Sequence, residues 1–133
     1  MKVFPDDLLY NREHVWVRLE GDLATIGITD YAQEKLGEIS SLDLPETDSY
    51  IEWNEPFGSI ESSDANVELI SPVSGTVINV NEDIIDDIGI INSDPYDTGW
   101  LIVVEVEDQK ELDDLLDARA YQDFVAQEGE PSF

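Results

Sequence analysis

The sequence predicts an all-β fold, a sandwich or barrel with helical trim, on three observations. Short β-rich runs recur along the chain, among them residues 15–19, 23–28, 39–44, 76–80 and 100–106, each bounded by Gly, Pro, Asn or Asp. Helical periodicity is confined to two stretches, near 30–36 and near 109–127. No linker and no low-complexity segment interrupts the 133 residues, so one domain spans 1–133.

The elements follow in order. Residues 15–19 and 23–28 flank Glu20-Gly21-Asp22; Gly21 supplies the positive φ of a tight turn, which makes this pair a hairpin. Thr29 or Asp30 caps a short helix that Gly37 ends. The strand 39–44 closes at Pro45, and the run 50–53 follows. Residues 58–62 and 67–70 form two arms around a polar tip, and Gly75 turns the chain into 76–80. Residues 83–91 alternate apolar with acidic and fit no element well; 92–99 are turn-rich. Residues 100–106 are nearly continuously apolar, the mark of a buried strand. Asp108 and Glu111 fit a capping box, with Leu112, Leu115, Leu116, Ala120 and Phe124 as one apolar stripe behind it, closed by Gly129 and Pro131.

Composition narrows the function. Six Lys+Arg stand against 32 Asp+Glu, a net charge of −26. Such a surface repels phosphate backbones and anionic membranes, which disfavours nucleic-acid and membrane binding. It favours partners with basic docking faces; the plainer uses of the charge are solubility or life at high salt. No apolar run reaches the roughly 20 residues of a membrane helix, and no signal-peptide core is present, which points to a cytoplasmic protein. Without cysteine there is no disulfide, thiol nucleophile or thiolate metal site. His14, the single histidine, reads as a structural group. Asp86-Asp87 and Asp113-Asp114 lack calcium-loop spacing and read as solvated acidic faces. Trp16, Trp53 and Trp100 read as core. There is no nucleophile elbow and no phosphate loop, so neither an enzyme nor a metal site is expected.

The tip carries the most information. Phe57-Gly58, Glu61-Ser62, Ala65 and Ser71-Pro72-Val73-Ser74-Gly75 resemble the lipoyl hairpin of the glycine cleavage system H protein family, of the form F-G-x-x-E-S-x-K-A followed by S-P-V-S-G. The resemblance covers nearly the whole chain. Tyr10 to Val17 is similar to Y-x-x-x-H-E-W-V, residues 21–33 to G-D-x-A-x-x-G-I-T-D-Y-A-Q, and Leu36 to Ile39 to L-G-D-I. Further on, residues 91–96 are similar to I-N-x-D-P-Y, Gly99-Trp100-Leu101 to G-W-L, and residues 112–121 to L-x-x-L-L-x-x-x-x-Y. The resemblance implies a barrel-sandwich hybrid with the hairpin at one end. It also implies, as partners, the pyridoxal-phosphate glycine decarboxylase (P), the aminomethyltransferase (T), the dihydrolipoamide dehydrogenase (L) and lipoyl ligases.

The departures cluster. The family's lipoylated lysine falls on Asp64, flanked by Glu61, Ser62, Ser63, Ala65 and Asn66. Ser63 replaces an apolar residue, and Ile39-Ser40-Ser41-Leu42 replaces a strand of the form I-V-F-V. Lipoylation makes an amide from a side-chain amine, and a carboxylate has no N–H to give. The chain holds only Lys2, Lys35 and Lys110. The expectation is a non-lipoylated H-protein-like binding or regulatory module without a cofactor. The alternatives are a working carrier lipoylated on another lysine, and a remnant fold with a new ligand.

Overall fold

The computed structural model describes residues 4–63 and 65–128. Two antiparallel sheets, neither closed on itself, form the barrel-sandwich hybrid. The larger has the order β1-β2-β3-β9-β8-β5, from β1 (Leu9–Tyr10), β2 (Val15–Glu20), β3 (Leu23–Ile28), β9 (Ile102–Val106), β8 (Gly75–Val80) and β5 (Tyr50–Ile51). The smaller runs β4-β6-β7, from β4 (Ile39–Asp43), β6 (Pro56–Ser62) and β7 (Asn66–Ile70). Gly21, at φ 63°, makes the expected two-residue turn of the β2–β3 hairpin, pairing Glu20 with Leu23. The main core lies between the sheets, around Val17, Ile26, Ile60, Val77 and Val104. A second cluster of Tyr10, Trp16 and Tyr121 holds the C-terminal helix against β1 and β2.

The helix α1 (Asp30–Leu36) forms as the sequence predicts. Thr29 caps it, its hydroxyl accepting from the Ala32 N–H, and Gly37 ends it at φ 74°. The acidic stretch left unassigned resolves into two short helices, α2 (Glu82–Asp86) and α3 (Ile90–Ser93). Asn81 caps α2 and also donates to the Thr98 and Trp100 carbonyls, so one buried amide fixes the helix to the loop before β9.

The C-terminal helix is corrected. The expected span 109–127 is a 3₁₀ helix (Gln109–Asp114), an extended break, and α4 (Ala118–Glu128). Leu115 is extended at ψ 157°, and Leu116 makes an isolated bridge to Tyr10, its N–H and carbonyl both bonded there. Two tertiary backbone bonds outweigh helix continuation at this point. The apolar stripe shifts accordingly: Leu112 packs on the main core, while Ala118 and Tyr121 are buried and Phe124 packs beside them. Gly129 and Pro131, expected to close the helix, lie outside the described residues. No helix among the described residues is long and apolar enough to cross a membrane.

Candidate functional site

The hairpin of β6 and β7 stands at one edge of the small sheet, with register Gly58↔Leu69, Ile60↔Val67 and Glu61↔Asn66. Alternation buries Ile60 and Ser62 and leaves Glu61 exposed between them, while Phe57, at the register shift between Pro56 and Gly58, is buried as well. Ser62 and Ala65 bond to each other across the tip. The Ser62 N–H donates to the Ala65 carbonyl at 2.8 Å, and the Ala65 N–H donates back to the Ser62 hydroxyl oxygen at 3.1 Å. Ser63 and Asn66 are exposed, and Ala65 packs on the core. Asp64 lies outside the described residues. The Ser40 hydroxyl donates to the Glu61 carbonyl, tying β4 to the arm just below the tip.

The Ser71-to-Gly75 turn links β7 in one sheet to β8 in the other. It is buried throughout. A side chain on Gly75 would overlap the Glu105 carbonyl oxygen, and one on Gly58 the Asp43 carbonyl oxygen. Glycine is required at both places by close backbone approach. The Ser74 N–H and hydroxyl both donate to the Glu111 carboxylate, at 2.8 and 2.9 Å, and the Ser74 oxygen accepts from the Trp53 N–H. Glu111 therefore does not reach back to its own helix start as a capping box. It holds the 3₁₀ helix against the turn. Asp108 does cap, accepting from the Lys110 N–H. The sequence carried no signal for the Glu111 tie, because a capping box explains that residue equally well locally.

His14 is a buried, hydrogen-bonded group. It precedes β2 in a left-handed conformation, φ 69°. Its Nδ1 lies 2.7 Å from the Tyr121 hydroxyl, which lies 2.8 Å from the Thr29 hydroxyl. This buried chain joins β2, α1 and α4. Trp16 is buried, with its indole N–H donating to the Pro95 carbonyl. Trp53 is corrected: it is 37% exposed, on the wall of a cleft of about 680 Å³ between Asn11–Glu13 and Asp113–Leu116. The run 50–53 yields only the two-residue β5, which ends before Trp53. Tyr10 and Tyr96 have phenols pushed well above the ordinary value by burial; Tyr96 also accepts from the Asp30 N–H, which opposes the rise. Asp86-Asp87 and Asp113-Asp114 are exposed on separate elements, and no cluster of three or more metal-ligating side chains occurs among the described residues.

The family model described as Glycine cleavage H-protein matches residues 8–128. The chain belongs to the glycine cleavage H-protein family. It is 46% identical over 123 residues to the glycine cleavage system H protein of Staphylococcus carnosus (strain TM300), covering 92% of this chain and 98% of that one. It is 49% identical over 121 residues to that of Geobacillus sp. (strain WCH70), covering 91% and 95%. The crystal structure of a glycine cleavage system H protein from Mycobacterium marinum superposes with a TM-score of 0.79 at 33% identity, over 94% of this chain and 98% of that one. Two residues of the H-protein motifs noted in the sequence serve packing here. Gly27, from G-I-T-D-Y-A-Q, lets the Trp16 ring approach so closely that an added Cβ would stand 2.5 Å from it. Asn92, from I-N-x-D-P-Y, donates to the Gln33 side chain and the Gly37 carbonyl and accepts from the Ile39 N–H. Val15, where the motif H-E-W-V carries a glutamate, is buried in the core at 1% exposure.

Proposed function

We propose that this chain is an H-protein-family docking module that carries no lipoyl group. One observation supports this above the others: no side-chain amine occurs between Lys35 and Lys110, so the hairpin offers a carboxylate, Asp64, where an attachment amine belongs. An amide cannot form there. The remaining lysines belong to other elements. Lys35 is on α1, its ammonium 6.0 Å from the Tyr31 ring centroid, Lys110 is on the 3₁₀ helix, and Lys2 lies outside the described residues. Lipoate therefore does not fit the groups present. Ser62 and Ala65 bond to each other on either side of the tip, so the described part of the hairpin has a defined frame.

The partners this reading favours are the glycine cleavage P, T or L proteins or a lipoyl ligase, meeting the −26 surface through basic faces. The test is mass. After incubation with a lipoyl ligase, ATP and lipoate the chain keeps its unmodified mass, and the chain isolated from its host does the same. A lipoyl increment mapped to Lys35 or Lys110 defeats the proposal in favour of a working carrier, the reading that family membership over residues 8–128 supports. The sequence puts Asp64 at a polar hairpin tip, so Asp64→Lys should fold with a stability change of about 0.5 kcal/mol or less. Its acceptance by the ligase measures how much recognition surface Glu61, Ala65 and their neighbours retain. Association with a partner should slow between about 0.01 and 0.1 M salt, as the Debye length falls from about 30 to 10 Å. An on-rate indifferent to salt assigns the charge to solubility.

A further inference from the structure

The small sheet ends at β4, and no strand among the described residues pairs with its outer edge. Ser40, Ser41 and Asp43 are exposed along that edge. Across from it stands α2. Two adjoining cavities of about 460 and 250 Å³ run between strand and helix and share Leu42 and Ile85. Their floor is apolar, with Leu42, Val80 and Ile88 packed on the main core. Ile84 anchors α2 to that core with no exposure, whereas Ile85 points the other way and is 61% exposed. An isoleucine that open is an anchor awaiting a contact, since singly exposed Ile is ordinary but one over an apolar groove is not. The walls are acidic. Asp43, Glu46, Glu82 and Asp86 line the cavities, and no lysine or arginine does.

Two serines stand at the opening. Ser40 and Ser41 line the smaller cavity, at positions where the related strand pattern I-V-F-V is bulky and apolar. The bulge between Ile39 and Ser41 leaves Ser41 to Asp43 in regular register with β6, and Asp43 would set like charges against each other if two copies paired edge to edge. A second acidic chain would also be repelled by the same field. A basic one would be drawn in.

The geometry points to a strand-addition site: the groove between β4 and α2 takes an extended segment of a partner protein in which basic and apolar side chains alternate. A strand added to β4 would lie about 4.8 Å from it and send alternate side chains to opposite faces. Apolar side chains on one face meet Leu42 and Ile85; basic ones on the other meet the carboxylates of the walls. This partner chemistry rests on the docking-module reading for its use. The two fail separately, because lipoylation is read by mass and the groove by binding.

The experiment takes the full chain, isotope-labelled, and a short fluorescein-labelled peptide alternating lysine and valine. Binding is followed by anisotropy and mapped by amide shifts. Micromolar affinity is expected, with shifts at Leu42, Ile85 and Ile88 and slowed amide exchange along β4. Ile85→Ser should weaken binding roughly tenfold or more with an unchanged melting temperature, as expected of a central anchor. Asp43→Lys should weaken it as well. A peptide of the same composition with N-methylated backbone at alternate positions should not bind, because it cannot complete the ladder. Equal binding of the methylated peptide, indifference to Ile85→Ser, shifts confined to another face, or no binding at low salt would each overturn the assignment.

Discussion

Replacing Glu111 by alanine separates two roles for one side chain. As a capping-box member it would support only its own helix start, and its loss would cost about 0.5–1 kcal/mol. In the structure it accepts from both the N–H and the hydroxyl of Ser74, a residue only 9% exposed. A buried donor left without its partner costs about 1–3 kcal/mol, and bonds to a charged acceptor sit at the upper end. Glu111 is itself half-buried, so solvent takes back part of that cost. Together these give about 2–4 kcal/mol. Unfolding entropy of about 2.1 cal/mol/K per residue amounts to about 0.28 kcal/mol/K for 133 residues. The melting temperature should then fall by about 7–14 °C, against about 2–4 °C for a cap alone. Scanning calorimetry reads the shift, and hydrogen exchange should show the Ser74 amide opening faster. In a double-mutant cycle with Ser74→Ala the losses should be non-additive by about 0.5–3 kcal/mol. A drop below about 4 °C, or strict additivity, refutes the tie.

Gly75→Ala should cost about 3 kcal/mol or more in denaturant unfolding, since the new Cβ overlaps the Glu105 carbonyl between β8 and β9, whereas Gly21→Ala, with no atom within 4 Å and only its φ of 63° to strain, should cost about 1–2 kcal/mol. Burial raises the Tyr10 and Tyr96 phenols above the ordinary pKa of 10, so the folded chain holds their protons more tightly than the unfolded one. Stability from this source is complete below pH 10 and is lost as pH rises beyond it, by up to about 1.4 kcal/mol per pH unit per phenol. Urea midpoints measured across that range should fall, and Tyr96→Phe should flatten the slope. Acrylamide should quench Trp53, 37% exposed, far more than Trp16, which has no exposure; equal protection of the two in single-tryptophan variants would contradict the open cleft wall.

Much of the fold was legible because its signals are local. The Gly21 turn, the Thr29 cap, the Gly37 stop and the alternation in 15–19 and 23–28 each depend on a few neighbouring residues, and each formed as read. The C-terminal helix was misread because its break is set elsewhere. Leu115 to Ala118 has adequate helical character, and only the bridge from Leu116 to Tyr10, 106 positions away, pulls it straight. The stretch 83–91 resisted assignment because α2 and α3 are too short to show a period, and Asn81 and Asn92 hold them through long-range bonds.

The sequence by itself determined the family motifs, the charge, and the identity of residue 64, since these are facts of residue type and order. Asp64 has no amine in any conformation. The tertiary structure decided what the motif residues do: Gly27, Gly58 and Gly75 are spaces for a ring or a carbonyl, and Glu111 is a clamp on Ser74. It alone decided that Trp53 faces a cleft, and that Ser40, Ser41 and Ile85, 45 positions apart at their furthest, line one groove in front of an open strand edge. Chemistry at a single position is readable from the chain; a surface made by distant segments exists only once packing has brought them together.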